Sequence, residues 1–277
     1  MAGRGISFIF LLVVLLAMNC KWRVKSQSNI GDMAKDFQNL IKIYYKNHNG
    51  KIDLVFVLDQ SGSVGPRNFQ KILSFMKSVL SDLSVAYEHT RVSVVRFGTG
   101  VTVDVRMDQN LDKCALFEEI ENKVKYQGGA TNTKGGLEEA KRQLTNSRNG
   151  AVKLIITVTD GEYNVGGNPK SIATEMKNNQ IIMIAFGITN GINYQNLADI
   201  ASGGLVNKVD GFTQFKELAE IIYKCKSVFQ IKRFIFSIFC ILFKVIRKKL
   251  YNITNMSVSG VQLPLSVFHY NASEFSL

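Results

Sequence analysis

Three stretches of this chain are apolar almost without interruption: residues 52–58 (IDLVFVL), 152–159 (VKLIITVT) and 181–188 (IIMIAFGI). A strand with one face in water alternates apolar and polar side chains, whereas a run without alternation belongs to a strand covered on both faces. Such strands occur in mainly parallel sheets, and each parallel pair needs a crossover, usually a helix, to bring the chain back. The sequence between the runs supplies them. Residues 68–83 place Phe69, Ile72, Leu73, Phe75, Met76, Val79, Leu80 and Leu83 at helical spacing.

Helical spacing recurs at 111–124, 134–144, 169–178 (opened by Pro169), 194–201 and 212–224, and in a lead-in stretch at 30–45. Residues 91–97 and 101–105 read as two strands joined by a Gly98-Thr99-Gly100 hairpin turn, which makes 101–105 an antiparallel edge strand; 205–209 is a short further strand. The predicted fold is α/β: a doubly wound, Rossmann-like, mostly parallel central sheet with one antiparallel edge strand and helices on both faces. It forms one domain at 51–225, after a helical lead-in at 27–50. No internal repeat is visible.

Lys and Arg number 34 against 22 Asp and Glu, an excess that raises the question of nucleic acid. The excess sits at the ends. Residues 1–26 hold four bases and no acid, residues 226–277 seven bases and one acid, and the middle 23 bases and 21 acids. A nearly neutral folded region lacks the basic stripe that phosphates require, so nucleic acid is excluded as the partner.

Residues 1–26 read as a secretory signal peptide, with Arg4 ahead of 13 uncharged, mostly apolar residues at 6–18. That run is shorter than the ~17–25 residues of a membrane-spanning helix. Export implies a secreted protein in an oxidising compartment, where thiols pair. The cysteines Cys20, Cys114, Cys225 and Cys240 include no CxxC pair, which favours disulfides or buried thiols over a zinc or redox site and leaves connectivity open.

The tail, residues 226–277, changes character. Its uncharged stretch 234–243 (FIFSIFCILF) lies between Lys232-Arg233 and a basic cluster from Lys244 to Lys249. It is too short to span a bilayer unaided, so lying in a membrane interface or docking on protein competes with a short cell-surface anchor through 234–246. Asn252, Asn255 and Asn271 follow in N-x-[ST] sequons, which carry sugar only outside the cell. The basic cluster would place them inside if the segment spanned, so the two readings oppose each other.

Open α/β sheets bind ligands beyond the carboxyl ends of their strands. There the first strand runs into Asp59-Gln60-Ser61-Gly62-Ser63, and the strand 152–159 into Asp160-Gly161-Glu162. A third loop, Gly128-Gly129-Ala130-Thr131-Asn132-Thr133, leads into the helix between them and reaches the same end. Asp59, Ser61, Ser63, Thr131 and Asp160 together offer oxygen donors only, a set that suits Mg²⁺ first, then Mn²⁺ or Ca²⁺. With two carboxylates among the donors, the cation can accept a further anionic oxygen from a partner.

Blander roles compete for each residue. Asp59 or Ser63 can cap the first helix, Thr131 or Thr133 the helix after the glycine loop, and Asp160 can hold a turn. Glu162 and Asn164 read as solvated rim residues. An enzyme is the main rival class, because Ser61-Gly62-Ser63-Val64-Gly65 is close to a nucleophile elbow. It lacks the first glycine, and the only histidine after Asp160 is His269 in the tail, with His48 and His89 ahead of strands. Hydrolysis is therefore not expected. Neither G-x-G-x-x-G nor a P-loop follows any strand.

The pattern D-x-S-x-S, a Thr in a glycine-containing loop and an Asp in a T-D-G turn resembles the metal-ion-dependent adhesion site of von Willebrand factor A-type domains, found in integrin inserted domains, matrilins and fibrillar-associated collagens. Asp59, Ser61, Ser63, Thr131 and Asp160 match it without substitution, and the likeness covers about 51–225. The resemblance implies direct ligation by Ser61, Ser63 and usually Thr131, with the aspartates contacting the metal directly or through water. It also implies an adhesive role, with collagen, another matrix protein or a cell-surface receptor as the partner class. A structural or oligomerising module without metal-dependent binding is the alternative. The family's flanking cysteines are matched only at Cys225.

Overall fold

Strand β1 (Ile52–Asp59) is buried at every position, as its unbroken apolar run requires. The structure, a computed structural model, describes residues 30–189 and 191–224. The predicted signal peptide, the tail with its sequons, Cys20, Cys225 and Cys240 lie outside these residues.

A helix α1 (Ile30–Asn47) precedes β1, and α2 (Gly65–Ser81), β2 (Thr90–Phe97) and β3 (Val101–Val105) follow it. Next come α3 (Lys113–Lys123), α4 (Thr133–Gln143), β4 (Val152–Thr159) and α5 (Lys170–Asn178). The series closes with β5 (Ile182–Gly187), α6 (Tyr194–Ile200), β6 (Val206–Lys208) and α7 (Phe212–Lys224). The sheet order is β3-β2-β1-β4-β5-β6, parallel throughout except for the antiparallel β2–β3 pair. Strand order reverses at β1, which pairs with β2 on one side and β4 on the other. That reversal opens a crevice at the carboxyl ends of β1 and β4.

Alternate residues of β1 feed two cores. Leu54, Phe56 and Leu58 pack with α1, α2, α3 and α7, and Val55 and Val57 with α4 and α5. The first core centres on aromatic rings: Phe75 lies 4.7 Å from Phe186 and 4.8 Å from Phe215, and Phe37 of α1 lies 5.2 Å from Phe186. Each such pair adds about 0.5–1.5 kcal/mol beyond area burial. The lead-in helix thus belongs to the core, and its Gln38 side chain donates to the Ile222 carbonyl near the end of α7 at 2.8 Å.

The amino end of the sheet holds a charge inside the apolar run. Asp53 is fully buried and accepts from Arg91 Nη2 at 2.7 Å, Arg148 Nη2 at 2.7 Å and the Arg148 backbone N–H at 2.9 Å. Burial alone would raise its carboxyl, but the two guanidinium groups hold it below the ordinary value. Cys114, at the start of α3, is disulfide-bonded. No other cysteine falls among the described residues.

Candidate metal centre

Parallel pairing brings the ends of β1 and β4 level, Leu58 opposite Val158, so the loops that leave them start side by side. Asp59, the last residue of β1, is buried and divides its carboxylate between them. Its Oδ1 accepts the Ser61 N–H at 2.7 Å, and its Oδ2 accepts the Thr159 hydroxyl at 2.6 Å. The Ser61 and Ser63 hydroxyl oxygens lie 3.0 Å apart, and Ser63 Oγ donates to Asp160 Oδ1 at 2.8 Å. Ser61 and Asp160 are buried while Gly62 and Ser63 face solvent, so the cluster opens outward.

The glycine loop closes the third side. Gly62 N–H donates to the Gly129 carbonyl at 2.8 Å, tying it to the first loop. Asn164 ties it to the third loop: its Oδ1 accepts the Thr131 N–H at 2.8 Å, and its own N–H donates to the Thr131 carbonyl at 3.1 Å. Thr131 is 4% exposed. The β2–β3 turn buttresses the loop from behind. A Cβ on Gly98 would stand 2.6 Å from the Gly128 carbonyl oxygen, and Gly129, at φ +116°, approaches the Thr99 N–H as closely as a side chain would forbid.

Of the five predicted residues, Asp59, Ser61, Ser63 and Asp160 share one hydrogen-bonded cluster, and Thr131 is fixed beside it through its backbone. Neither helix cap falls to a predicted ligand. The N-cap of α2 is Val64, with no side-chain bond, and the cap of α4 is Asn132, whose side chain accepts the Gly135 N–H at 2.9 Å. Asn164, read from sequence as a solvated rim residue, is exposed and also braces Thr131. Asn164 carries no motif signal, since it acts on a residue far away in the chain, whereas Thr159 is the Thr of the T-D-G turn. His48 and His89 lie at the opposite end of the sheet, their carbonyls bonded to Lys51 and Ile52. Ser63 therefore has no histidine beside it among the described residues.

Two largely buried carboxylates in one small cluster repel each other. Burial, above all, pushes the Asp59 carboxyl up to about 6, with the nearby Asp160 charge adding to it and hydrogen bonds from Thr159 and Ser61 opposing it. Burial likewise raises Asp160, against the Ser63 hydrogen bond. A cation between them would relieve both. Among the described residues no three His, Cys, Asp or Glu side chains group as a metal cluster. An ion here would rest on two carboxylates and neutral hydroxyls, which fits a hard cation that keeps water or a partner's oxygen in its shell.

The family model of the von Willebrand factor type A domain matches residues 53–224. The mouse Sushi, von Willebrand factor type A, EGF and pentraxin domain-containing protein 1 is 38% identical over 160 residues, 56% of this chain and 4% of that protein. The mouse collagen alpha-4(VI) chain is 30% identical over 156 residues, 54% of this chain and 7% of that one. This chain therefore spans only a small part of the curated relatives it matches. Proximal thread matrix protein 1 from the mussel byssus, with a zinc-occupied MIDAS motif, has a TM-score of 0.56 at 23% identity, covering 63% of this chain and 47% of that one. Manganese-loaded Plasmodium vivax TRAP protein has a TM-score of 0.51 at 25% identity, covering 63% of this chain and 74% of that one.

Proposed function

The chain belongs to the von Willebrand factor type A family, and on that premise we propose that it is an extracellular adhesion module that binds a protein ligand through a divalent cation. Asp59, Ser61, Ser63, Thr131 and Asp160 hold the ion, Mg²⁺ in the first instance and Mn²⁺ or Ca²⁺ as substitutes. The ion supplies an electrophilic position that an acidic side chain of the ligand can fill. The domain proper is 51–225, carried on a secreted chain whose tail sequons, if glycosylated, lie outside the cell.

The observation that carries this reading is the cluster itself: the largely buried Asp59 and Asp160 carboxylates and the Ser61 and Ser63 hydroxyls form one hydrogen-bonded group that opens to solvent. Burial raises both carboxyls, and a cation between them would offset the cost of keeping the two charges in one site. Relatives that are collagen chains and a zinc- or manganese-loaded structural neighbour support the extracellular setting and a divalent ion in general. The ligand is a collagen, another matrix protein or a cell-surface receptor that presents a carboxylate.

The test is capture of extracellular proteins by the immobilised chain in Mg²⁺, in EDTA, and with Asp59→Ala. Adhesion through the ion predicts capture in Mg²⁺ alone. Capture that survives both EDTA and Asp59→Ala identifies a structural or oligomerising module instead.

A further inference from the structure

Between Asp59 and Ser61, the side chain of Gln60 points the other way, into the protein, where it is 3% exposed. It meets Arg96 of β2, itself 2% exposed. A guanidinium cannot shed its charge in a protein, so a buried one requires an anion and acceptors for its whole fork. Asp104 of β3 supplies the anion: its Oδ1 accepts Arg96 Nη2 at 2.6 Å, and its Oδ2 accepts Nε. The remaining Nη1 donates to Gln60 Oε1 at 2.6 Å and to the Lys125 carbonyl. Gln60 Oε1 also accepts the Gln127 N–H at 3.2 Å. One rigid, neutralised fork thus holds the loop bearing Ser61 and Ser63 and the segment that enters the Thr131 loop, from beneath, without touching any proposed ligand.

We propose that Arg96, acting through Gln60, is a positioning residue for the cation: it sets the separation of the two loops whose hydroxyls must reach one ion. The inference rests on the cation reading given above. Sequence spacing supports a dedicated role, because the first x of D-x-S-x-S is the one position whose side chain faces away from the ion while its neighbours face it. A small polar or apolar residue there would leave the Arg96 Nη1 and the Gln127 N–H short of an acceptor.

The test uses the full chain with Mn²⁺ alone as the probe. Gln60→Met removes the shared acceptor at nearly constant volume, and the pair Arg96→Met with Asp104→Leu removes the fork without leaving a buried charge. Val85→Ala, in the core at the far end of the sheet, is the stability control. Mn²⁺ affinity is read by titration, and exchange of the Gly62 amide, which bonds the Gly129 carbonyl, is read without metal. The expected result is a ten- to hundredfold loss of Mn²⁺ affinity for Gln60→Met, the scale on which supporting residues act. Faster Gly62 exchange should accompany it, and neither change should appear in Val85→Ala. Wild-type chain that binds Mn²⁺ while folded Gln60→Met binds it equally overturns this inference alone. Wild-type chain that takes up no Mn²⁺ overturns the cation reading and this inference with it.

Discussion

Ser63 Oγ donates to Asp160 Oδ1 at 2.8 Å across 97 positions of the chain. The bond joins the loop after β1 to the loop after β4 at the point where strand order reverses. It is also the bond that a cation would replace with two ligand contacts.

Asp160→Asn keeps the shape of the side chain and its bond with Ser63 but removes one of two charges. Mn²⁺ affinity should fall more than about a hundredfold, beyond what losing a mere supporting residue costs. The far-ultraviolet circular dichroism spectrum should not change. Titration calorimetry of the folded variant checks both expectations.

The pH dependence of the cation-free protein should run against ordinary acid denaturation. Asp59 stands at about 6 in the fold, against 3.8 for an unperturbed aspartate. Between those values the folded chain binds more protons than the unfolded one, so stability present at lower pH is lost as pH rises through the window. The full effect is roughly 3 kcal/mol. Asp53, held below its ordinary value, acts in the opposite sense but at lower pH. Scanning calorimetry in EDTA should give a higher melting temperature at pH 5 than at pH 7, and Mg²⁺ should raise the pH 7 value most. A cation-free melting temperature that climbs from pH 5 to pH 7 would contradict the buried Asp59 carboxyl.

Asp53→Ala strips the shared anion from Arg91 and Arg148 at the opposite end of the sheet. Breaking a buried pair by removing one partner costs about 3–5 kcal/mol. Urea unfolding should show a loss of that size, and Mn²⁺ affinity of the folded fraction should match wild type. Stability and ion binding would thereby separate along the length of the sheet.

Gly98→Ala places a methyl group against the Gly128 carbonyl, where only 2.6 Å is available. Overpacking of this kind costs about 1–3 kcal/mol. Because Gly128 and Gly129 carry the Thr131 loop, the variant should weaken Mn²⁺ binding as well as lower the melting temperature, in contrast to Asp53→Ala. Parallel titration and melting of the two variants decides this.

The sheet and its helices were legible because each signal is local. Unbroken apolar runs marked β1, β4 and β5, and the Gly98-Thr99-Gly100 turn marked the β2–β3 hairpin to the residue. The start of α2 at Gly65, three positions before the predicted 68, follows from Pro66, whose fixed φ suits the first turn. The candidate ligands were legible as a motif, since each follows a strand or a glycine turn. What stayed hidden depends on distant pairing. Nothing in the run 52–58 explains its Asp53, because the partner Arg148 lies 95 positions away. Nothing near Gln60 in sequence announces Arg96, and nothing near Asn164 announces Thr131. The disulfide of Cys114 was equally beyond a reading of spacings.

The most direct measurement is calorimetric titration of Mn²⁺ and Mg²⁺ into the purified, EDTA-stripped chain, repeated with Asp59→Ala. One saturable site per chain, lost in Asp59→Ala while the fold persists, is the predicted result. No uptake of either ion by the folded wild-type chain, or equal uptake by Asp59→Ala, would contradict the account.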